Sequence, residues 1–129
     1  MKNFEKWNEV KSKLHNKKTK IVIPKEREVY WASIGVNIGH EQDGKGDIFS
    51  RPVLVLKKYN QHIFFGIPLS TQLREGSFFF EFLLNGEKRN ALIVQGRLLD
   101  TKRLENRIGM INREDFDRLK NKLKELMGV

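Results

Sequence analysis

The sequence predicts a mainly β fold with peripheral helices, an α+β arrangement in which a small barrel carries one helix at each end. Three observations predict it. Five short segments rich in aromatic and β-branched residues are separated by glycine, proline and Asn-Gly punctuation. Apolar residues at helical spacing are confined to the two ends of the chain. The length, 129 residues, suits one domain with one modest core.

The first element is a short amphipathic helix, because Phe4, Trp7, Val10 and Leu14 recur at helical spacing among Lys, Glu and Asn. A basic linker, Asn16-Lys17-Lys18-Thr19-Lys20, follows, and Pro24 ends the apolar run Ile21-Val22-Ile23. Residues 1–25 therefore read as a helix and linker that dock onto a barrel domain over residues 26–129. Within that domain Val29–Ile34 reads as a strand ending at Gly35, and Pro52–Leu56, Ile63–Ile67, Phe78–Leu83 and Ala91–Val94 repeat the pattern. Asn85-Gly86 marks a hairpin between the last two. Phe78-Phe79-Phe80 is mostly core by default, with one ring left to cover a helix or partner because adjacent strand residues face opposite ways. At the C-terminal end Asn112 can cap a helix with Asp115 three residues on, and Phe116, Leu119, Leu123 and Leu126 line its apolar face.

Lys and Arg number 25 against 16 Asp and Glu, a formal net charge of +9, which favours a polyanionic partner through counterion release. The absence of cysteine excludes disulfides, thiolate metal sites and a cysteine nucleophile, and fits a reducing compartment. The N-terminus runs into polar sequence and no apolar run reaches membrane-spanning length, so a cytoplasmic protein is expected. His15 and His62 lack a ligand-like cluster, so no metal and no cofactor is expected. The connection from Gly35 to Ser50 is long and glycine-punctuated, and loops of that kind inside small domains are usually functional.

Four ordered motifs carry a family resemblance. They are Glu28-Val29-Tyr30-Trp31-Ala32-Ser33-Ile34-Gly35 with Gly39-His40-Glu41-Gln42; Arg51-Pro52-Val53-Leu54-Val55; Ile67-Pro68-Leu69-Ser70-Thr71; and the stretch from Gln95-Gly96-Arg97 to Arg103-Leu104. Over roughly Glu28 to Leu126 the chain resembles the MazF/PemK toxins of type II toxin–antitoxin systems. The resemblance implies an SH3-like barrel of the CcdB/PemK type in a homodimer. It also implies a groove that binds single-stranded RNA, metal-independent cleavage of that RNA, and a cognate antitoxin protein as partner. Because toxins on this scaffold can instead poison DNA gyrase, and a basic barrel can simply bind RNA, fold alone does not decide the activity.

RNA can be cut without a metal when a base removes the proton of its 2′-hydroxyl, an acid serves the leaving group and a cation holds the phosphate. Arg51 matches the family's catalytic arginine, and its guanidinium suits a phosphorane-like transition state. Ser70, or its neighbour Thr71, is the expected hydroxyl donor, although both could instead bond nearby backbone. His40 could exchange a proton near neutral pH or be a solvated loop residue. Gln42, Lys45, Gln95 and Arg97 are the expected RNA contacts; Gly44 and Gly46 would let a phosphate approach, and Phe49 would stack on a base or anchor the loop. One departure from the family is clear. PemK-like members carry an acidic residue, often with an arginine, where this chain has Leu92 and Val94, and apolar side chains there shift the burden of proton transfer toward His40.

Overall fold

A computed structural model describes residues 2–18, 22–72, 76 and 78–129. Helix α1 (Phe4–His15) is capped by Asn3, whose side chain accepts the Lys6 amide. Seven strands follow: β1 (Glu28–Ser33), β2 (Ser50–Lys58), β3 (Ile63–Ser70), β4 (Phe79–Leu84), β5 (Glu87–Leu92), β6 (Arg97–Asp100) and β7 (Leu104–Met110). Helix α2 (Arg113–Met127) closes the chain, its first turn capped by Asn112, which accepts the Asp115 amide at 2.8 Å.

The strands pair antiparallel in the order β4-β5-β3-β2-β1-β7. One edge of β3 lies on β2, and the other is shared: β6 pairs with Ile63–Gly66, and β5 with Leu69 and Ser70. This sharing bends the sheet into a barrel. The central strands are buried on both faces, which is why they read as nearly continuous apolar runs. Val29, Leu54, Ile67 and Leu69 pack toward Phe116 and Leu119 of α2, while Tyr30, Val53, Val55 and Phe64 pack with Leu99 and Leu104. Between β4 and β5, Asn85 and Gly86 adopt the positive φ angles, 52° and 80°, that a tight two-residue hairpin needs. Of the aromatic run, Phe80 is buried and Phe78 is exposed.

One expectation needs correction. The strand expected at Ala91–Val94 ends at Leu92 and begins at Glu87, and Ile93–Gln95 is a 3-10 turn. The polar Lys88-Arg89-Asn90 stretch hid its first half, and the chain must turn after Leu92 to bring β6 onto β3. Strand β7 was not legible as an element, since Glu105-Asn106-Arg107 lacks an apolar repeat and the strand lies at the end of the sheet order, paired to β1 alone. Thr19, Lys20 and Ile21 lie outside the described residues, and Val22 and Ile23 belong to no helix or strand.

Glu28 opens β1 and anchors a buried polar knot. Its carboxylate accepts the Lys25 amide (2.6 Å), the Tyr30 hydroxyl (3.1 Å) and the Arg107 guanidinium (2.6 Å). Burial pushes the Glu28 carboxyl upward, but these three donors outweigh it and hold the group below its ordinary value. Burial, then Glu28, push the Tyr30 phenol up to about 12. A depressed carboxyl stabilises the fold above its unfolded pKa, and that stability is lost as pH falls through the lower folded value. A raised phenol stabilises it below about pH 10, and that stability is lost as pH climbs toward 12. Glu28→Gln is therefore expected to flatten both limbs of a calorimetric Tm–pH curve while costing about 1–3 kcal/mol at neutral pH. Unchanged limbs would show that other groups set them.

Candidate active site

Residues 34–49 join β1 to β2 and fold into two lobes. At their base the Phe49 carbonyl accepts the Ile34 and Gly35 amides at 3.0 and 3.2 Å, and beyond it Lys45 and Ser50 exchange two backbone bonds of 2.8 Å. Gly44 is needed here, because a Cβ would stand 1.6 Å from the Phe49 carbonyl oxygen. The close approach that this glycine permits is thus used by the chain's own backbone rather than left for a phosphate. The second lobe turns on Asp43. Its carboxylate accepts the Asn37 amide at 2.6 Å and pairs with the Lys2 ammonium at 3.2 Å. Asn37 in turn donates to the Gln42 carbonyl at 2.7 Å.

Helix α1 braces this loop. The Trp7 ring meets Phe49 edge-on, with centroids 5.7 Å apart, and both are buried with Val36; Val10 and Leu14 pack against them. Phe49 therefore anchors the loop instead of offering a stacking face. Trp7 also covers Gly35, whose φ is +87° and where a Cβ would come within 2.2 Å of the indole. Lys6 adds an ion pair to Asp47 at 3.1 Å, exposed enough to contribute little.

Arg51, the second residue of β2, lies beneath the loop with only 8% of its surface exposed. Its Nε donates to the Asp43 carbonyl at 2.9 Å and its Nη1 to the Leu69 carbonyl at 3.2 Å. Ser70, the last residue of β3, is equally buried, and its Oγ accepts the Gln72 amide at 3.1 Å. Val53 and Pro68 are cross-strand partners, so Arg51 and Ser70 each lie two residues further along the same face of the sheet. Over that face opens a groove of about 300 Å³ with Val53, Gly66 and Pro68 among its lining and Gln42, Gln95 and Arg97 beside them.

The structure thus gathers Gln42, Gln95 and Arg97 at one groove; Arg51 and Ser70 are not in its lining, and Arg51 reaches β3 beside Ser70 through the Leu69 carbonyl. Gln95 does more than face the groove. Its Oε1 accepts the Gln42 amide at 3.2 Å and its Nε2 donates to the His40 carbonyl at 3.3 Å, latching the loop to the 3-10 turn. His40, Lys45 and Thr71 are exposed and do not line the groove, and the His40 imidazole makes no hydrogen bond among the described residues. The carboxylate in the lining belongs to Glu41, whose Oε1 accepts the Ile38 amide at 2.9 Å. Of the two apolar departures, Leu92 is buried opposite Phe79, while Val94 is 52% exposed and lines the groove.

Asn37, Glu41 and Asp43 were not singled out from sequence as part of the site. Their only signal was a run of side chains able to cap backbone amides between two glycines. Among the described residues no cluster of three or more His, Asp or Glu could hold a metal, and no helix is long and apolar enough to cross a membrane.

Compared with known protein families, residues 25–127 match the PemK-like, MazF-like toxins of type II toxin–antitoxin systems. No curated protein sequence matches significantly. Among solved structures, MazF from Deinococcus radiodurans is similar with a TM-score of 0.69 at 20% identity, covering 84% of this chain and 99% of that one. An endoribonuclease in complex with its cognate antitoxin from a mycobacterial species gives 0.63 at 13% identity over 82% and 96% of the two chains. The Mycobacterium tuberculosis toxin MazF-mt6 gives 0.61 at 13% identity over 80% and 98%. At these identities the likeness establishes the barrel fold.

Proposed function

The chain belongs to the PemK-like, MazF-like toxins of type II toxin–antitoxin systems, and from that membership we propose that it is an endoribonuclease cleaving single-stranded RNA by attack of the 2′-hydroxyl, without a metal. The observation that carries this reading is the Arg51 guanidinium bonded to the Leu69 carbonyl, one residue before Ser70, on the two strands whose Val53, Gly66 and Pro68 line the groove. Two backbone carbonyls fix the Arg51 guanidinium, so its charge is oriented before substrate arrives, which is what transition-state stabilisation requires. Ser70 accepts a backbone amide and retains its own proton to donate to a phosphate oxygen. His40, two positions before Gln42 on the loop that Gln95 latches, is assigned the 2′-hydroxyl proton as the P–O2′ bond forms, and the imidazolium so made can return a proton to the 5′-oxygen as the P–O5′ bond breaks. Glu41, in the groove lining, is the alternative acceptor.

The rest of the reading follows from the substrate and the family. Messenger RNA places the reaction in the cytoplasm, and two chains would complete the groove as a homodimer. An acidic segment of a cognate antitoxin would cover the surface of a chain of net charge +9; one solved neighbour is an endoribonuclease in complex with its cognate antitoxin. Residues 1–25 are an appendage to the barrel on this reading, since the family match begins at residue 25.

Purified protein with labelled single-stranded RNA and excess EDTA tests the activity. Strand scission that an added antitoxin inhibits competitively is expected. Gyrase inhibition without scission, or salt-sensitive binding without scission, would replace the reading with a protein-directed toxin or a plain RNA-binding barrel. In the same assay Ser70→Ala is expected to slow cleavage on the order of a hundredfold and Thr71→Ala only slightly. The reverse order would assign the hydroxyl to Thr71.

A further inference from the structure

A second cleft of about 500 Å³ lies between α1 and the loop, and it shares Ile34, Asn37, Glu41 and Arg97 with the groove already described. Its cations are Lys11 of α1, Arg97 of β6 and Arg103 of the 3-10 turn before β7, and among the described residues none of the three is in an ion pair. Glu41 is the one carboxylate in its lining, and that side chain is turned onto the Ile38 amide. The walls also hold flat or apolar surface: Phe4 is 52% and Ile38 79% exposed, with the edge of Trp7 between α1 and the barrel. Unpaired cations beside exposed aromatic and aliphatic side chains are the means by which single-stranded nucleic acid is held without sequence readout.

We propose that this cleft is a second subsite of the substrate path, in which Lys11 and Arg103 hold a phosphate and Phe4 offers a face to the base of a nucleotide flanking the one at Arg51. The proposal rests on the RNA-cleaving reading and extends it, because α1 lies outside the matched family region and so adds a contact that the barrel alone lacks. Arg97, which lines both clefts, marks the junction where the strand passes from one to the other. Arg103 is suited to the task. It donates to the Ser33 carbonyl at 3.0 Å and lies 5.8 Å from the Trp7 ring centroid, so its guanidinium is held in place. Burial, then the neighbouring charge of Arg97, disfavour its charged form, and Asp100 only partly offsets them. The opposite charge of an incoming phosphate would favour the charged form and offset these costs.

Binding of fluorescent mixed-sequence 2′-O-methyl RNA, which cannot be cleaved, tests this in the full chain. The Lys11→Gln and Phe4→Ser variants change exposed side chains outside the barrel core, and Lys11→Arg keeps the charge as a control. Lys11→Gln combined with Phe4→Ser is expected to weaken a ten-nucleotide strand roughly tenfold, and to reduce the slope of log affinity against log salt by about 0.7 for the lost phosphate contact. Lys11→Arg, which keeps the charge on the same exposed turn of α1, should bind like wild type. Unchanged ten-nucleotide affinity and slope would overturn the proposal, as would a loss seen only against an acidic antitoxin peptide, which would reassign the cleft to a protein partner. Failure of the wild type to cut RNA would instead sink the endoribonuclease reading, and the binding comparison distinguishes the two.

Discussion

Arg51→Ala is expected to lower single-turnover RNA cleavage by on the order of a thousandfold, the cost of removing a donor that meets developing charge. It is also expected to lower stability. The buried guanidinium serves the Asp43 and Leu69 carbonyls, and removing it leaves acceptors buried without that donor, at about 1–3 kcal/mol. Arg51 is therefore both part of the proposed chemistry and the strut between the loop and β3. Arg51→Lys separates the two roles, because an ammonium keeps the charge but cannot span both carbonyls with a planar fork. Cleavage measured well below each variant's Tm, with circular dichroism as the check on folding, should find Arg51→Lys closer to wild type in stability than in rate. A folded Arg51→Ala protein that cuts at near wild-type speed would remove Arg51 from the mechanism.

Trp7→Ala is expected to cost about 3–5 kcal/mol, the usual range for emptying a buried aromatic site, although Trp7 stands on a helix outside the barrel. The indole fills the space between Phe49, Val36 and Gly35, so its loss opens the cluster that ties the loop to α1. Lys2 reaches Asp43 and the backbone carbonyls of Asn37 and Gly39 from the same N-terminal segment, and Asp43 in turn holds Arg51. The consequence should spread from stability to the site. Hydrogen exchange at residues 36–50 is expected to accelerate more than at the β2–β3 pairing, and cleavage should fall at temperatures where the barrel is still folded. Trp7→Phe, which refills part of the volume, should recover part of both. Equal exchange in the loop for Trp7→Ala and wild type would show that the loop holds its shape without α1.

By itself the sequence determined the elements whose cause is local. The helical spacing of Phe4, Trp7, Val10 and Leu14, the Asn112 cap, the Asn85-Gly86 turn and the aromatic and β-branched runs of β1 to β4 each act within a few residues, so periodicity and turn chemistry suffice to read them. The family motifs likewise singled out Gln42, Gln95 and Arg97, which line one groove, and Arg51 and Ser70, which stand on the two strands that contribute to its lining. What tertiary structure alone decided are arrangements made by backbone groups far apart in the chain. Arg51 is oriented by carbonyls at positions 43 and 69, and Gln95 grips the backbone at 40 and 42; any residue type supplies a carbonyl or an amide, so no side-chain pattern announces these contacts. The same holds for β7, a polar strand that exists because β1 offers it an edge, and for the turn at Ile93–Gln95, which forms because β6 must reach β3. Local preference writes the elements, whereas register and burial, which couple residues tens of positions apart, decide which of their side chains meet.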